Sequence, residues 1–313
     1  MLIIRKIISV IAFIATCVTA SNIVCEAPLQ TTCIAIEIEK IESINETIEI
    51  VGSENGAQYY PAVTGFYAIS KDLDMQYIPS NIFKIMPNLE YFYAYEVNLK
   101  QLPTDSFKRC SKLHQISLAK NSIETLGQGF AIGCSNAYLL DLSYNQITEL
   151  TAASFKGLTS LTTLTINFNF IEVIGKGTFD TMPVLTLISM SMNKISTVHP
   201  NAFMKLSNLG SLVLNDNRIK VIKSGWFANK NFLATVNLQS NEISAIEPNF
   251  LTEWTSSNLN TTKSFNYELN LMGNNCIKTN MKEISDKTTK YYENSLYKCF
   301  EEYENNYFFK NFP

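Results

Sequence analysis

Along most of this 313-residue chain the same apolar skeleton returns every 24 residues: L-x-x-L-x-L-x-x-N-x-I-x-x-L, then a Phe and one more apolar residue. A fixed period of this length constrains the fold more than any local propensity. Each unit is too small to bury its own apolar face and must stack on its neighbours. One unit reads Leu161, Leu164, Ile166, Asn169, Ile171, Ile174, Phe179, Met182, and the next reads Leu185, Ile188, Met190, Asn193, Ile195, Val198, Phe203, Leu206. Units with the same outline begin at Leu89, Leu113, Ala137, Leu209 and Leu233, and a weaker one begins near Gly65. After an insertion around residues 255–263, a partial unit closes the series with Leu269, Leu271 and Asn274, giving eight units and a closing fragment.

The L-x-L steps place alternate side chains inward on a short strand and leave the others on the outer face of a sheet. Six asparagines, Asn121 to Asn241 at a spacing of 24, stand where each strand bends. An Asn side chain there can bond backbone groups that the bend leaves unpaired. A second file, Phe83, Phe107, Phe155, Phe179, Phe203 and Phe227, is expected to stack on the return side, with Phe130 and Phe250 one residue early. The alternation, the β-branched residue at the turn and the Asn ladder argue against a helical repeat. The fold class is an α/β-type solenoid with a parallel concave sheet and an irregular convex return.

This pattern resembles the extracellular leucine-rich repeat superfamily in its 24-residue typical form, over about residues 65–276. Within it, the chain is similar to insect secreted leucine-rich immune proteins, without the coiled coil those carry, since residues 277–313 show no sustained a/d heptads. The resemblance implies a horseshoe with disulfide-stapled caps and a recognition role, with innate immunity as its setting.

Residues 1–20 fit a cleaved secretory signal: Arg5 and Lys6, an apolar run from Ile7 to Ala15, then Val18-Thr19-Ala20 at the cleavage position. An uncleaved signal anchor is the alternative, although the run is shorter than the ~20 residues a bilayer span needs. Residues 21–64 are expected to form an N-terminal cap, 65–275 the repeats, and 276–313 a C-terminal cap and tail, helical through 281–297. Cys17 leaves with the signal, so six of seven cysteines remain, an even number suited to an extracellular, oxidising setting. Cys110 and Cys134 occupy one place in adjacent units. Strands ~4.8 Å apart bring such residues near the ~4.4–6.8 Å window of a disulfide, the alternative being two buried thiols. Cys25–Cys33 and Cys276–Cys299 are expected to staple the two caps. Asn45 and Asn260 head N-glycosylation sequons.

Composition removes several function classes. Lys plus Arg is 25 against Asp plus Glu 28, a net charge of −3, so no positive field draws nucleic acid. The two histidines, His114 and His199, lie in different units and cannot share a metal, and no paired carboxylates or phosphate loop are evident, so neither an enzyme nor a cofactor is expected. Specificity then falls to the outer face of the sheet. Its candidate ligand-binding residues are Tyr67, Tyr91, Tyr93, Tyr95 and Asp141, with Tyr144, Phe168 and Met192 in file beside them. Tyr67 is expected within reach of Tyr91. Clustered tyrosines with sparse charge suit a protein or microbial-surface ligand, because Tyr buries much area yet keeps a polar end. The alternative is that the N-terminal cap covers them. An extracellular matrix or adhesion component is the second function class. Neither nucleic acid nor stable membrane insertion is expected, and the chain should be a monomer or a weak homodimer.

Overall fold

A computed structural model describes residues 21–26, 32–38, 41, 48–52, 62–230, 232–251, 253–254, 267–277, 280–282 and 286–308. The expected signal over 1–20, the sequons at Asn45 and Asn260, and the Cys25 side chain lie outside what it describes. Among the described residues, thirteen strands form one sheet. They are β1 (Ser21–Glu26), β2 (Thr32–Ile38), β3 (Ile48–Gly52), β4 (Gly65–Ile69), β5 (Tyr91–Tyr95), β6 (Gln115–Ser117), β7 (Leu139–Asp141), β8 (Thr163–Thr165), β9 (Leu187–Ser189), β10 (Ser211–Val213), β11 (Thr235–Asn237), β12 (Glu268–Asn270) and β13 (Asn280–Lys282).

From β4 to β12 each strand pairs in parallel with the next, one rung per repeat. The register aligns equivalent residues, so Leu140, Leu164, Ile188, Leu212 and Val236 stand opposite one another. All five are fully buried, while their neighbours on the strands remain half-exposed. The chain turns inward at the asparagines. Asn145 accepts the Ile123 N–H at 3.0 Å and donates to the carbonyls of Leu118 and Leu142, both at 3.0 Å. Asn169, Asn193, Asn217 and Asn241 accept in the same way from the preceding rung, and Asn274 resumes the pattern after the insertion. Each bond serves a buried backbone group whose loss of a partner would cost about 1–3 kcal/mol.

On the return side the Phe file closes the core. Phe155, Phe179 and Phe203 stack at 6.4 and 5.7 Å between ring centroids. Phe130 and Phe250 are also fully buried despite their one-residue shift. The return loops approach one another closely at Gly157, whose φ is 102°. A Cβ there would stand 2.5 Å from the Ile132 Cα, so the loop requires glycine. Cys110 and Cys134 are joined in this layer, their Cα atoms 4.8 Å apart.

Both ends of the sheet carry strands outside the repeat. β2 pairs in parallel with β4, β1 runs antiparallel to β2, and β3 flanks β1. Cys33 is buried and disulfide-bonded. At the other end the expectation of a helix over 281–297 needs correction. Met281 and Lys282 belong to β13, which runs antiparallel to β12 and satisfies the edge the last rung would otherwise expose. The helix α1 spans Asp286–Tyr303. Leu296, Cys299 and Tyr303, on one face of it, are buried, and Phe300 meets Phe250 at 6.4 Å. Cys276–Cys299 ties the helix to the last turn of the solenoid, with a Cα separation of 5.3 Å.

Candidate binding face

Alternation along the strands puts Tyr91, Tyr93 and Tyr95 on the outer side of β5, each half-exposed, while Phe92 and Ala94 point into the core. The contact expected between Tyr67 and Tyr91 is corrected by the register. Gly65 lies opposite Tyr91, and Tyr67 lies opposite Tyr93. The first repeat is 26 residues long from Gly65 to Tyr91, so a spacing of 24 misplaces its partner. The Tyr67 and Tyr93 rings stack at 5.1 Å with 9° between planes.

A polar chain continues from this pair. The Tyr93 hydroxyl donates to Gln115 Oε1, and Gln115 Nε2 donates to the Tyr138 hydroxyl. Tyr138 in turn stacks over His114 at 6.1 Å. Burial, then the neighbouring Tyr67, holds the Tyr93 hydroxyl above the usual tyrosine range. At the rim, the Lys120 ammonium sits 5.1 Å from the centre of the Tyr95 ring, and its hydrogen bond to Tyr95 raises its pKa. Sequence reasoning missed Tyr138. The signal was present, since Tyr138 follows His114 by 24 residues and so occupies the same place one rung on.

Beyond the tyrosines the face becomes a ladder of small polar groups already bonded to one another. Asp141 accepts from the Thr165 hydroxyl and the Ser143 N–H, both at 2.9 Å. Asn167 accepts from the Ser189 hydroxyl at 2.8 Å, and the Ser191 hydroxyl donates to Asn215 at 2.7 Å. Along the rim, Tyr144, Phe168 and Met192 form the expected file, 40 to 46% exposed, with Tyr144 and Phe168 stacked at 4.1 Å. All three hold left-handed backbone, at φ of 57°, 54° and 54°. The aromatic strands and the rim file are neighbouring patches of one surface, with Lys120 between Tyr95 and Tyr144.

The described strands β1–β3 extend the sheet sideways from β4 rather than lying over this face. Among the described residues, no group of three or more His, Cys, Asp or Glu side chains is placed to hold a metal. No helix there is long and apolar enough to cross a membrane.

The family model for the leucine rich repeat matches residues 111–169 and 159–215. No curated protein matches the sequence. Among solved structures, the chain is similar to one from the Toll–Spatzle complex of Drosophila, at 22% identity and a TM-score of 0.51, over 59% of this chain and 27% of that one. It is also similar to an internalin from Listeria monocytogenes (20% identity, 61% and 51% covered, TM-score 0.45) and to a chain of the TLR13–ssRNA13 complex (22% identity, 58% and 29% covered, TM-score 0.49). The chain spans little more than a quarter of the Toll chain's length, and that likeness is one of fold. With the family match lying on the same rungs that carry the Asn ladder and the Phe file, the chain carries leucine-rich repeats over residues 111–215 and its described rungs have the leucine-rich repeat horseshoe fold.

Proposed function

We propose that this is an exported recognition scaffold that binds a protein or microbial-surface partner through its concave face, centred on rungs β4 to β8, in innate immunity. The observation that carries this reading is the half-exposed tyrosine cluster of Tyr67, Tyr91, Tyr93 and Tyr95 on a face almost free of charge. Tyrosine loses little conformational entropy when buried, and such anchors typically contribute ~2 kcal/mol or more each at an interface. The hydrogen-bonded ladder from Asp141 to Asn215 supports the same reading, because a pre-ordered polar surface loses little freedom on binding. Export is supported by the disulfides, which persist in oxidising compartments.

Tyr91 and Tyr95 are the residues to remove. Tyr93 is stacked and hydrogen-bonded within the face, so its loss would disturb the platform itself. The Tyr91→Ser/Tyr95→Ser variant and the wild type should be used as baits in extracellular fluid, with captured proteins compared quantitatively. A protein retained by the wild type and lost from the variant, at unchanged circular dichroism, is the expected result. Identical capture profiles would place the site elsewhere.

A further inference from the structure

On the outward positions of strands β4 to β11, Asp141 is the only charged residue. Both of its hydrogen bonds fall on one oxygen: Oδ1 accepts the Thr165 hydroxyl and the Ser143 N–H, each at 2.9 Å. These two bonds fix the direction of the carboxylate. Among the described residues Oδ2 accepts nothing, and no ion pair there includes Asp141. A held carboxylate with one oxygen unpaired is an acceptor for a cationic donor.

The ground between Asp141 and the tyrosines is low. Ser117 stands opposite Tyr93 on one side and Asp141 on the other, and both Ser117 and Ala119 on this rung are small and buried. Tyr93 borders the gap. Its ring and that of Tyr67 lie in register, parallel within 9° and 5.1 Å apart, close to the ~4.8 Å between strands. The stack therefore runs across the strands. Tyr67 covers one face of Tyr93, and the other face turns toward β6, where Ser117 has no bulk to cover it. The stack is built for its place: Gly65 makes room for the Tyr67 ring, which a Cβ at that position would meet at 2.6 Å, and the Tyr93 hydroxyl is tied to Gln115.

Tyr93 and Asp141 stand two rungs apart, ~9.6 Å. A cation resting on the Tyr93 face comes within a ~2.8 Å hydrogen bond of a carboxylate reaching in from Asp141. Residues 90–96, 114–120 and 138–144 carry Glu90, Glu96 and Asp141 against Lys120, with His114 beside Glu90 at 3.9 Å, so the local field favours a positive group. Lys120 itself shows the chemistry at the rim, where its ammonium rests 5.1 Å from the Tyr95 ring centre. We propose that the gap over Ser117 takes a lysine side chain of a partner protein, its ammonium on the free face of Tyr93 and donating to Asp141 Oδ2. Lysine fits better than arginine because Asp141 lies beyond the face of the ring. A guanidinium stacked there turns its own face, not its N–H groups, toward the carboxylate, whereas a tetrahedral ammonium has donors pointing away from the ring. This inference rests on the reading that the concave face binds a protein.

The test is selection of a displayed library of random dodecapeptides on the full chain. Peptides that bind the wild type and are lost from Tyr91→Ser/Tyr95→Ser should share a lysine. Replacing that lysine by glutamine should raise Kd about tenfold or more, and replacing it by arginine should raise Kd several-fold. Asp141→Asn keeps the acceptor for Thr165 and Ser143 and removes the charge. It should raise Kd about tenfold for the lysine peptide and leave Kd for the glutamine peptide unchanged, so the two losses do not add. Ser117→Leu, which fills the gap from below, should weaken the lysine peptide likewise, and circular dichroism checks the folding of each variant. Additive losses overturn the inference alone, as do tyrosine-dependent peptides that share no lysine or bind equally well with arginine in its place. If no selected peptide depends on Tyr91 and Tyr95, the reading of the concave face falls, and the inference with it.

Discussion

Lys230 shows what a single side chain can cost a repeat fold. It falls in the column of Cys110, Cys134, Leu158, Met182 and Leu206, each 24 residues from the last, all core positions. Lys230 is fully buried as well, and its amine donates to the Ala228 carbonyl at 2.9 Å. Burial lowers its pKa to about 8, against about 10.4 in an unfolded chain. The folded state therefore binds this proton less tightly than the unfolded state. The resulting penalty is complete below pH 8, shrinks as pH rises through 8 towards 10.4, and vanishes above. Lys230→Met keeps the aliphatic stem and removes the charge. It should raise unfolding free energy by a few kcal/mol at pH 6, and the gap from wild type should narrow at pH 10, measured by urea denaturation at both values. A gap independent of pH would mean that the lysine acts through packing alone.

At the scale of the element, the turn before Val97 and before each Asn of the ladder adopts left-handed backbone whatever residue occupies it: Glu96, Lys120, Tyr144, Phe168, Met192, Asp216 and Ser240 all have φ between 51° and 58°, and Gly273 has 73°. For a residue with a Cβ this conformation costs roughly 1–2 kcal/mol, so the rung geometry overrides local preference. Phe168→Gly relieves that strain while losing some order-related entropy and an exposed ring. Its stability should stay within about 1 kcal/mol of wild type in urea, and a larger loss would show that the Tyr144–Phe168 stack is a packing element rather than a surface. The left-handed turn was not legible in the sequence, because its column mixes acidic, basic and apolar residues and shows a glycine only at its last position, Gly273 before Asn274. What was legible followed from period: the inward Leu and Ile positions, the Asn bonds, the Phe file and the Cys110–Cys134 alignment all repeat every 24 residues. The errors lie where the period breaks. The 26-residue first unit moved Tyr67 from Tyr91 to Tyr93, and the strands of 21–52 and 280–282 have no repeat to announce them.

A solenoid's stability is approximately a sum over rungs and their nearest-neighbour contacts, so the molecule's weak points are its ends. The C-terminal end is held by three devices. β13 pairs the last edge, Cys276–Cys299 ties α1 to the final turn, and Tyr303 links the repeats to the helix. The Tyr303 hydroxyl accepts from Lys223 at 2.7 Å and donates to Glu247 at 3.2 Å, while Glu247 also receives the Ser224 N–H at 2.8 Å. The disulfide separates residues 23 apart in sequence, a loop for which chain entropy alone stabilises by about 3 kcal/mol. Cys276→Ser/Cys299→Ser leaves the other two devices in place, so the fold should persist with a loosened end. Hydrogen exchange should then quicken in α1 and in the rungs β11 and β12, and fade to wild-type rates towards β6 and β7, beside Cys110–Cys134. Uniformly faster exchange along the whole chain would mean that the horseshoe unfolds as one cooperative unit, in which the cap stabilises every rung equally.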